Sequence, residues 1–243
     1  MLNATKNIWL FWSQGWEEAP RVAQAARASW QDNNPGWSCR TLTRATALEA
    51  FGAQLPPTLA RHDLPLEAYS DVLRIELLAR FGGVWADATT ICAKPLDAWL
   101  PEHGTQRGFF AFNRPGPDRM IASWFLYAAA GSHMIMQLRD AVRAYWENRQ
   151  ERDNYFWLHN LFAELYEADP EFRAHWDTPP HITARQPFHF GPNAPRLDLP
   201  PTTADCELLK NNTWPVFKLT HKRDETRQTD ACLFDILCAH RPA

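Results

Sequence analysis

Three charged side chains stand close together in the sequence, within or just after a long apolar segment. Asp71 and Arg74 lie one turn apart on a predicted helix, and Asp87 follows the short apolar run after it. At 100° per residue, Asp71 and Arg74 share a face with apolar neighbours. They therefore form either a structural salt bridge, which the helix geometry alone favours, or a polar patch that contacts a bound ligand. Glu76 and Arg80 face the other way and are predicted to form a solvated ion pair.

The elements around these residues place Asp87 at a sheet edge. Apolar periodicity predicts a helix over residues 67–81, which Gly82 and Gly83 end, and then a strand over residues 84–87. Asp87 stands at the carboxyl end of that strand, which is where open α/β sheets bind ligands. This position makes the ligand-binding alternative for Asp71 and Arg74 more favourable than helix geometry alone does.

The first third of the chain predicts a parallel sheet. Strands are expected at 8–12 and 37–42, and helices at 20–31 and 45–51. This β-α-β-α order is typical of nucleotide-binding α/β proteins. A chain of 243 residues can bury the core of one such domain, with helical additions in its second half.

The second half is predicted to alternate strands and helices around a proline-rich segment. Long loops of this kind often serve as a functional cover over a site. In chain order we expect a strand at 108–113, a loop at 114–119, a strand at 123–129, helices at 133–148 and 155–168, irregular structure at 178–201, a short helix at 203–211, a strand at 216–220 and a final helix at 231–240.

Composition excludes several classes of protein. The formal net charge of −3 and the lack of a long Lys/Arg run argue against a nucleic-acid partner. The five cysteines have no CxxC spacing, so they are expected to be reduced thiols rather than disulfides or zinc ligands. No secretory signal or membrane-spanning apolar run is visible, so a cytoplasmic location is expected, with peripheral docking on a membrane still allowed. The 12 tryptophans suit stacking on sugars or bases, although most are expected in the core.

The segment that carries the charged residues resembles a known group of enzymes. It reads SDVLRIELLARFGGVWADATTICAKPL over residues 70–96, and it resembles the sugar-nucleotide-binding region of DXD-type glycosyltransferases. The likeness is strongest to the capsular polysaccharide synthesis proteins, which are related to glycosyltransferase family 32 and, more distantly, to the large clostridial glucosylating toxins. Weaker likenesses are IWLFWSQG at 8–15, NYFWLH at 154–159 and KLTHK at 218–222.

The resemblance implies a single GT-A-like, Rossmann-like α/β domain over residues 1–243. It also implies an enzyme that transfers a hexose from a nucleoside diphosphate sugar, with uridine diphosphate favoured, to a saccharide acceptor. Transfer would retain the anomeric configuration and would serve capsule-type polysaccharide synthesis. The alternative is a non-catalytic protein of a polysaccharide assembly system that binds the nucleotide sugar or the saccharide.

The resemblance also assigns roles to residues. It places Asp71, Arg74 and Asp87 in catalysis, as contacts to the sugar hydroxyls and to the departing donor. Trp12 would stack on the base, unless it is a core residue at a strand end. His159 would face the acceptor, although a buried neutral core histidine is slightly favoured. The further candidates are Ser13, Gln14, Ser123, Trp124, His221 and Lys222 on the donor side, and Asp153 and Asn154 on the acceptor side.

Two of these assignments have simpler alternatives. His221 and Lys222 are given a phosphate role, but a short cationic run is more commonly a solvated turn. Asp87 and Thr89 stand where an Asp-x-Asp motif would bind Mn²⁺ or Mg²⁺, and the resemblance implies such a cation. A hydroxyl replaces a carboxylate poorly as a ligand for these ions, so the sequence leaves the use of a metal open.

Overall fold

A computed structural model describes residues 6–61, 63–104, 107–211, 213–223 and 231–240. The strands, in chain order, are β1 Asn7–Phe11, β2 Ser38–Leu42, β3 Gly83–Ala86, β4 Thr90–Cys92, β5 Phe109–Gly116, β6 Arg119–Ala128 and β7 Val216–Lys218. The helices are α1 Arg21–Asn33, α2 Arg44–Glu49, α3 Pro57–Ala60, α4 Leu66–Phe81, α5 Leu100–Gly104, α6 His133–Glu147, α7 Trp157–Ala168, α8 Pro170–Asp177, α9 Thr203–Lys210 and α10 Leu233–Ala239.

Parallel strands form one half of the central sheet. Across the described residues its order is β2-β1-β3-β6-β5, in which β2, β1 and β3 are parallel and β6 and β5 run antiparallel to their neighbours. A smaller sheet pairs β4 with β7 in antiparallel fashion. The predicted α/β class is confirmed. The antiparallel β5–β6 pair replaces the further parallel strands that a regular doubly wound sheet would have.

The helix α4 is buried along most of its length because it packs between the sheet and α6. Glu76 is 2% exposed, and both of its carboxylate oxygens accept hydrogen bonds from Arg143 of α6, at 2.6 and 2.7 Å. Arg80 instead donates to the carbonyl groups of Phe51 and Gln54. The predicted Glu76–Arg80 ion pair is therefore wrong. A helical projection cannot foresee that α6 covers the face it left to solvent.

The diglycine allows β3 to lie directly against β1. Gly82 and Gly83 have φ of +64° and +100°, a region that L side chains rarely adopt. A Cβ on Gly83 would lie 2.3 Å from the carbonyl oxygen of Asn7. The Gly82 carbonyl also accepts a hydrogen bond from the Trp9 indole at 2.9 Å. The predicted end of the helix at this diglycine is confirmed.

The predicted loop at 114–119 is wrong. β5 continues to Gly116 and β6 begins at Arg119, so only a two-residue turn separates them. Prolines suggested a loop, but the strand accommodates Pro115 through register shifts and a positive φ at Arg114.

The short helices α3 and α5 were not predicted. Neither was the longer helix α8. Pro170 occupies its first turn, and the Asp169 side chain accepts hydrogen bonds from the backbone of Glu171 and Phe172. These are recognisable start signals. The segment 178–201 is irregular as predicted, apart from a 3₁₀ turn at Pro195–Asp198.

The cysteines agree with the expectation of free thiols. None of the five forms a disulfide, and three of them, Cys92, Cys232 and Cys238, are buried. Within the described parts of the chain, no helix has the combination of length and apolarity that a membrane span requires.

Candidate active site

The candidate site lies at the sheet edge where the parallel strands β1 and β3 end. These strands are neighbours, with Trp9 opposite Trp85, so Trp12 and Asp87 follow them at the same edge. A cleft of about 550 Å³ opens there. Its walls come from the first half of α4, the turn after β3, β6, the start of α7, the irregular segment at 189–192 and residues 218–222.

Arg74 is buried in the cleft wall and is fixed by contacts on both terminal nitrogens. Nη1 lies 3.0 Å from Asp71 Oδ1 and donates to the Ser123 carbonyl at 2.9 Å. Nη2 donates to Ser70 Oγ at 3.1 Å and lies 3.5 Å from Asp87 Oδ1. The structure thus contains the salt bridge that the sequence offered as one alternative, while contact with a ligand stays a prediction. The pair is buried and also lines the cleft.

Asp87 is held by a tight turn. The Thr90 backbone and hydroxyl donate to the Asp87 carbonyl at 2.9 and 2.7 Å, and the Asp87 amide donates to the Trp124 carbonyl at 2.9 Å. The Trp85 indole donates to Asp87 Oδ1 at 3.0 Å. With its backbone and one oxygen fixed, the carboxylate faces Arg74, so Asp71, Arg74 and Asp87 converge on one wall.

Lys218 reaches the same carboxylate from the second sheet. Its Nζ lies 3.5 Å from Asp87 Oδ2 and donates to Thr89 Oγ1. The pairing of β7 with β4 places Lys218 opposite Thr90, and therefore beside the turn that carries Asp87 and Thr89. Burial lowers the pKa of Lys218, and the Asp87 carboxylate opposes that shift. The sequence analysis gave this lysine no role.

The residues at this turn do not fit a divalent cation. Mg²⁺ and Mn²⁺ prefer carboxylate and water oxygens. Asp87 is the one carboxylate of the motif, and Thr89 offers only a hydroxyl that already accepts a bond from Lys218. Across the described ranges, no group of three or more His, Cys, Asp or Glu side chains is arranged to hold a metal. The oxygen atoms of Asp87 and Thr89 instead contact the ammonium group of Lys218.

The carboxyl group of Asp71 has a pKa above its usual range. Burial raises the pKa of Asp71 to about 6, and the Asp87 carboxylate adds to the shift while Arg74 opposes it. Desolvation disfavours the charged carboxylate, and the guanidinium alone does not compensate fully. Asp71 is thus ionised at neutral pH but becomes protonated in mildly acidic solution.

The predicted base-stacking residue faces the cleft. Trp12 is half-buried, and its ring meets the His221 imidazole edge-on with centroids 5.4 Å apart. Ser13 and Gln14 line the same end of the cleft. Partial desolvation of the imidazole lowers the pKa of His221, with Lys222 as a further cause, so the ring is mainly neutral at pH 7. Because Trp12 is only half-buried and lines the cleft, it is not a fully enclosed core residue.

The cationic run at 221–223 divides between two environments. His221 and Lys222 are exposed and line the cleft. Arg223 points away from it, donates to Asp198 and lies 3.6 Å from the centroid of the Phe234 ring. A phosphate at the cleft mouth would thus meet His221 and Lys222 but not Arg223.

Ser123 and Trp124 line the cleft from β6. The Ser123 carbonyl holds Arg74, while Trp124 stacks on Phe112 with centroids 4.9 Å apart. The Trp124 indole nitrogen is buried without a hydrogen-bond partner in the described part of the chain. His189, which the sequence analysis did not select, packs edge-on against Trp124.

The acceptor-side candidates separate. His159 lines the cleft, whereas Asp153 and Asn154 do not. Asp153 pairs with Arg149 at the surface, and Asn154 accepts a bond from the Phe156 amide before α7. Burial lowers the pKa of His159 to about 4, with nearby arginines contributing, so the ring is neutral. Its Nδ1 is buried without a hydrogen-bond partner among the described residues. His159 is therefore not the hydrogen-bonded core histidine that the sequence slightly favoured.

Comparison with known proteins now identifies the family. The chain matches the family described as capsular polysaccharide synthesis protein over residues 1–237. The chain belongs to this family. The resemblance read from residues 70–96 is therefore confirmed.

Curated relatives of this family member are named as glycosyltransferases. It is 28% identical to glycosyltransferase afumC of Aspergillus fumigatus over 160 residues, which cover 59% of this chain and 41% of that protein. It is 23% identical to the initiation-specific alpha-1,6-mannosyltransferase of Candida albicans over 157 residues, or 55% of this chain and 41% of that protein. The PaToxG glycosyltransferase is a similar solved structure, with 16% identity, a TM-score of 0.47 and coverage of 69% of this chain and 70% of that one. The chain spans less than half the length of these curated relatives.

Sequence reasoning missed some of the residues in the cleft of this family member. Lys218 follows a buried Phe and precedes a buried Leu, and a charged residue at such a position signals a specific partner. Arg119, whose guanidinium lies 4.1 Å from the Phe156 ring centroid, was hidden in an assumed loop. Tyr155 is 61% exposed at the cleft mouth, and exposed aromatic rings are themselves a binding signal.

Proposed function

We propose that this protein is a glycosyltransferase that transfers a hexose from a nucleoside diphosphate sugar to a saccharide hydroxyl. Uridine is the favoured base, and the role is in capsule-type polysaccharide synthesis. The observation that carries the proposal is the convergence of Asp71, Arg74 and Asp87 on one wall of an open cleft. Family membership and the glycosyltransferase names of the relatives support it.

The sugar of the donor would bind against this wall. Carboxylates of Asp71 and Asp87 accept hydrogen bonds from hydroxyl groups, and charge-assisted bonds of this kind are strong. Arg74 supplies donors whose direction is fixed by its contacts to Ser123 and Ser70. Since these side chains fix one another through hydrogen bonds and ion pairs, little ordering cost remains for positioning the anomeric carbon.

The nucleotide would extend from the sugar towards Trp12. An indole face binds a base by stacking, which is worth about 1–3 kcal/mol per base. Ser13 and Gln14 stand beside it for hydrogen bonds to the base edge. Lys222 and His221 lie next to Trp12, at a position suited to the phosphates.

The acceptor would enter between the start of α4 and the start of α7. Leu66 and Tyr155 are exposed there, and an apolar residue beside an aromatic ring suits the face of a sugar. His159 lies deeper, with an unpartnered ring nitrogen that could bond an acceptor hydroxyl. His159 is neutral, so it is assigned a positioning role rather than that of a strong base.

Transfer is proposed to retain the anomeric configuration. The bond from the anomeric carbon to the diphosphate breaks, and the acceptor oxygen bonds to that carbon from the same face. The acceptor proton passes to an oxygen of the leaving diphosphate, so no protein base is required. The protein then contributes positioning and stabilisation of the charge that develops on the leaving group.

The test is turnover of a panel of nucleotide sugars, followed as release of free nucleoside diphosphate. Asp87→Asn should reduce kcat/KM by about 100-fold or more, since it removes a charge that contacts the reacting sugar. Asp140→Asn is the matched control, because Asp140 is an exposed residue of α6 outside the cleft. Tight nucleotide-sugar binding without turnover would instead support the non-catalytic binder. Unchanged turnover in Asp87→Asn would refute the site assignment.

A cytoplasmic location is part of the proposal. Free thiols, three of them buried, suit a reducing compartment where nucleotide sugars are available.

A further inference from the structure

Lys218 and the turn that carries Asp87 form an arrangement that family membership alone does not explain. The ammonium group contacts both Asp87 Oδ2 and Thr89 Oγ1. These are the two side chains that stand at the acidic positions of an Asp-x-Asp motif. A cation belonging to the protein therefore already sits between the two positions that would hold a metal.

We propose that the Lys218 ammonium takes the place of the divalent cation, and that it stabilises the leaving diphosphate without a metal. This inference rests on the proposed function, since it concerns the same reaction. Lys218 would be a catalytic residue that contacts the departing phosphate oxygens.

The charges at the site support this assignment. Asp87 has Arg74 at 3.5 Å on one oxygen and Lys218 at 3.5 Å on the other. A divalent ion bound to Asp87 would lie against two fixed positive groups, and Coulomb repulsion at these distances is large. Its remaining ligands would be one hydroxyl and water. The same two positive groups attract a diphosphate, whose charge is opposite.

The tertiary structure fixes Lys218 in this position. Its side chain is only 17% exposed, and the register of β7 on β4 sets where it emerges. The Leu219 amide donates to the Thr89 carbonyl at 2.8 Å, which ties the lysine strand to the turn. Burial lowers the pKa of Lys218, and a diphosphate beside it would oppose that shift as Asp87 does. A preformed cationic group of this kind is suited to a charge that grows during reaction.

The experiment combines a metal-binding measurement with a phosphate-binding measurement. Electron paramagnetic resonance of Mn²⁺ titrated with the purified protein reports metal bound. Calorimetry with inorganic pyrophosphate, in EDTA and then in Mg²⁺, reports diphosphate binding independently of the base. We expect no Mn²⁺ bound to the wild-type protein alone, and pyrophosphate binding that persists in EDTA and is not strengthened by Mg²⁺.

Substitution of the lysine separates its role from folding. Lys218→Met should weaken pyrophosphate binding at least about tenfold, because a hydrogen bond to a charged group is lost. Lys210→Met changes the net charge equally but lies on an exposed face of α9, and it should bind like the wild type. Lys218→Glu adds a carboxylate beside Asp87 and Thr89, and it should gain Mn²⁺ binding. A thermal melt of each variant shows whether it is folded, and the wild-type measurements decide the matter even if a variant is not.

Several results would overturn the inference. These are Mn²⁺ binding by the wild type, pyrophosphate binding that disappears in EDTA, no pyrophosphate binding at all, or a folded Lys218→Met variant with unchanged affinity. The proposed function fails differently: no nucleotide sugar is turned over, whatever pyrophosphate does. Turnover that EDTA abolishes and Mn²⁺ restores would leave the glycosyltransferase assignment standing and reject the metal-free mechanism alone.

Discussion

The pair of Glu76 and Arg143 gives a quantitative test of how α4 is anchored. Glu76 is 2% exposed, whereas the Arg143 side chain is 44% exposed. Arg143→Met leaves a buried carboxylate without a partner, and a broken buried pair costs about 3–5 kcal/mol. Glu76→Gln leaves an arginine that can turn to water and keeps an amide able to hydrogen-bond, so the expected loss is about 1–2 kcal/mol. The order of the two losses follows from which partner is buried.

Control variants isolate the effect of burial. Arg149 has 45% side-chain exposure, nearly that of Arg143, but its partner Asp153 is 55% exposed. Arg149→Met should therefore cost no more than about 1 kcal/mol, as exposed ion pairs do. Arg143→Lys keeps the charge and loses the paired geometry, so it should fall between Arg143→Met and the wild type.

Urea denaturation followed by tryptophan fluorescence measures these free energies of unfolding. The double variant Glu76→Met with Arg143→Met is expected to recover most of the loss, because two apolar side chains leave no unpaired charge. Equal losses for Arg143→Met and Arg149→Met would refute the reasoning. So would a larger loss for Glu76→Gln than for Arg143→Met.

Three further predictions concern the site and its support. Burial raises the pKa of Asp71 to about 6, so kcat/KM for the donor should fall as the pH drops through that value and Asp71 becomes protonated. Asp71→Asn should be slower at neutral pH and should lack this decrease at acidic pH, and a decrease that persists in the variant would contradict the assignment. Trp12→Ala should weaken uridine diphosphate binding by about 1–3 kcal/mol in calorimetry while Trp12→Phe retains most of it, and neither should alter pyrophosphate affinity; equal loss of both ligands would argue against stacking. Gly83→Ala should cost about 3 kcal/mol of stability in urea, since a positive φ and a blocked Cβ position act together, whereas Gly131→Ala has a positive φ but open space and should cost about 1 kcal/mol.

Local features of the chain were predictable because their causes are local. The helix α4 ends at Phe81 because Gly82 accepts a backbone conformation that other residues resist. The strand before Asp87 and the burial of Asp71 with Arg74 followed from apolar spacing. The family could be inferred from the same segment, and it is confirmed.

Errors arose where a neighbour in space, rather than in sequence, decided the outcome. Glu76 looked like a solvated residue because its partner, Arg143, lies 67 positions away on α6. Pro115 suggested a loop, yet pairing with β6 keeps that segment in the sheet. A periodic pattern states which face of an element is apolar, but not which element will cover its polar face.

The amino-acid sequence by itself determined the β-α-β-α order of the first third, the end of α4 and the carboxylate at the end of β3, since propensity and spacing act over a few residues. The tertiary structure alone decided that Lys218 meets Asp87 and Thr89. These residues are about 130 positions apart, and only the pairing of β7 with β4 brings them together. The reason is physical: a contact across such a distance depends on sheet register and packing, which no local pattern encodes.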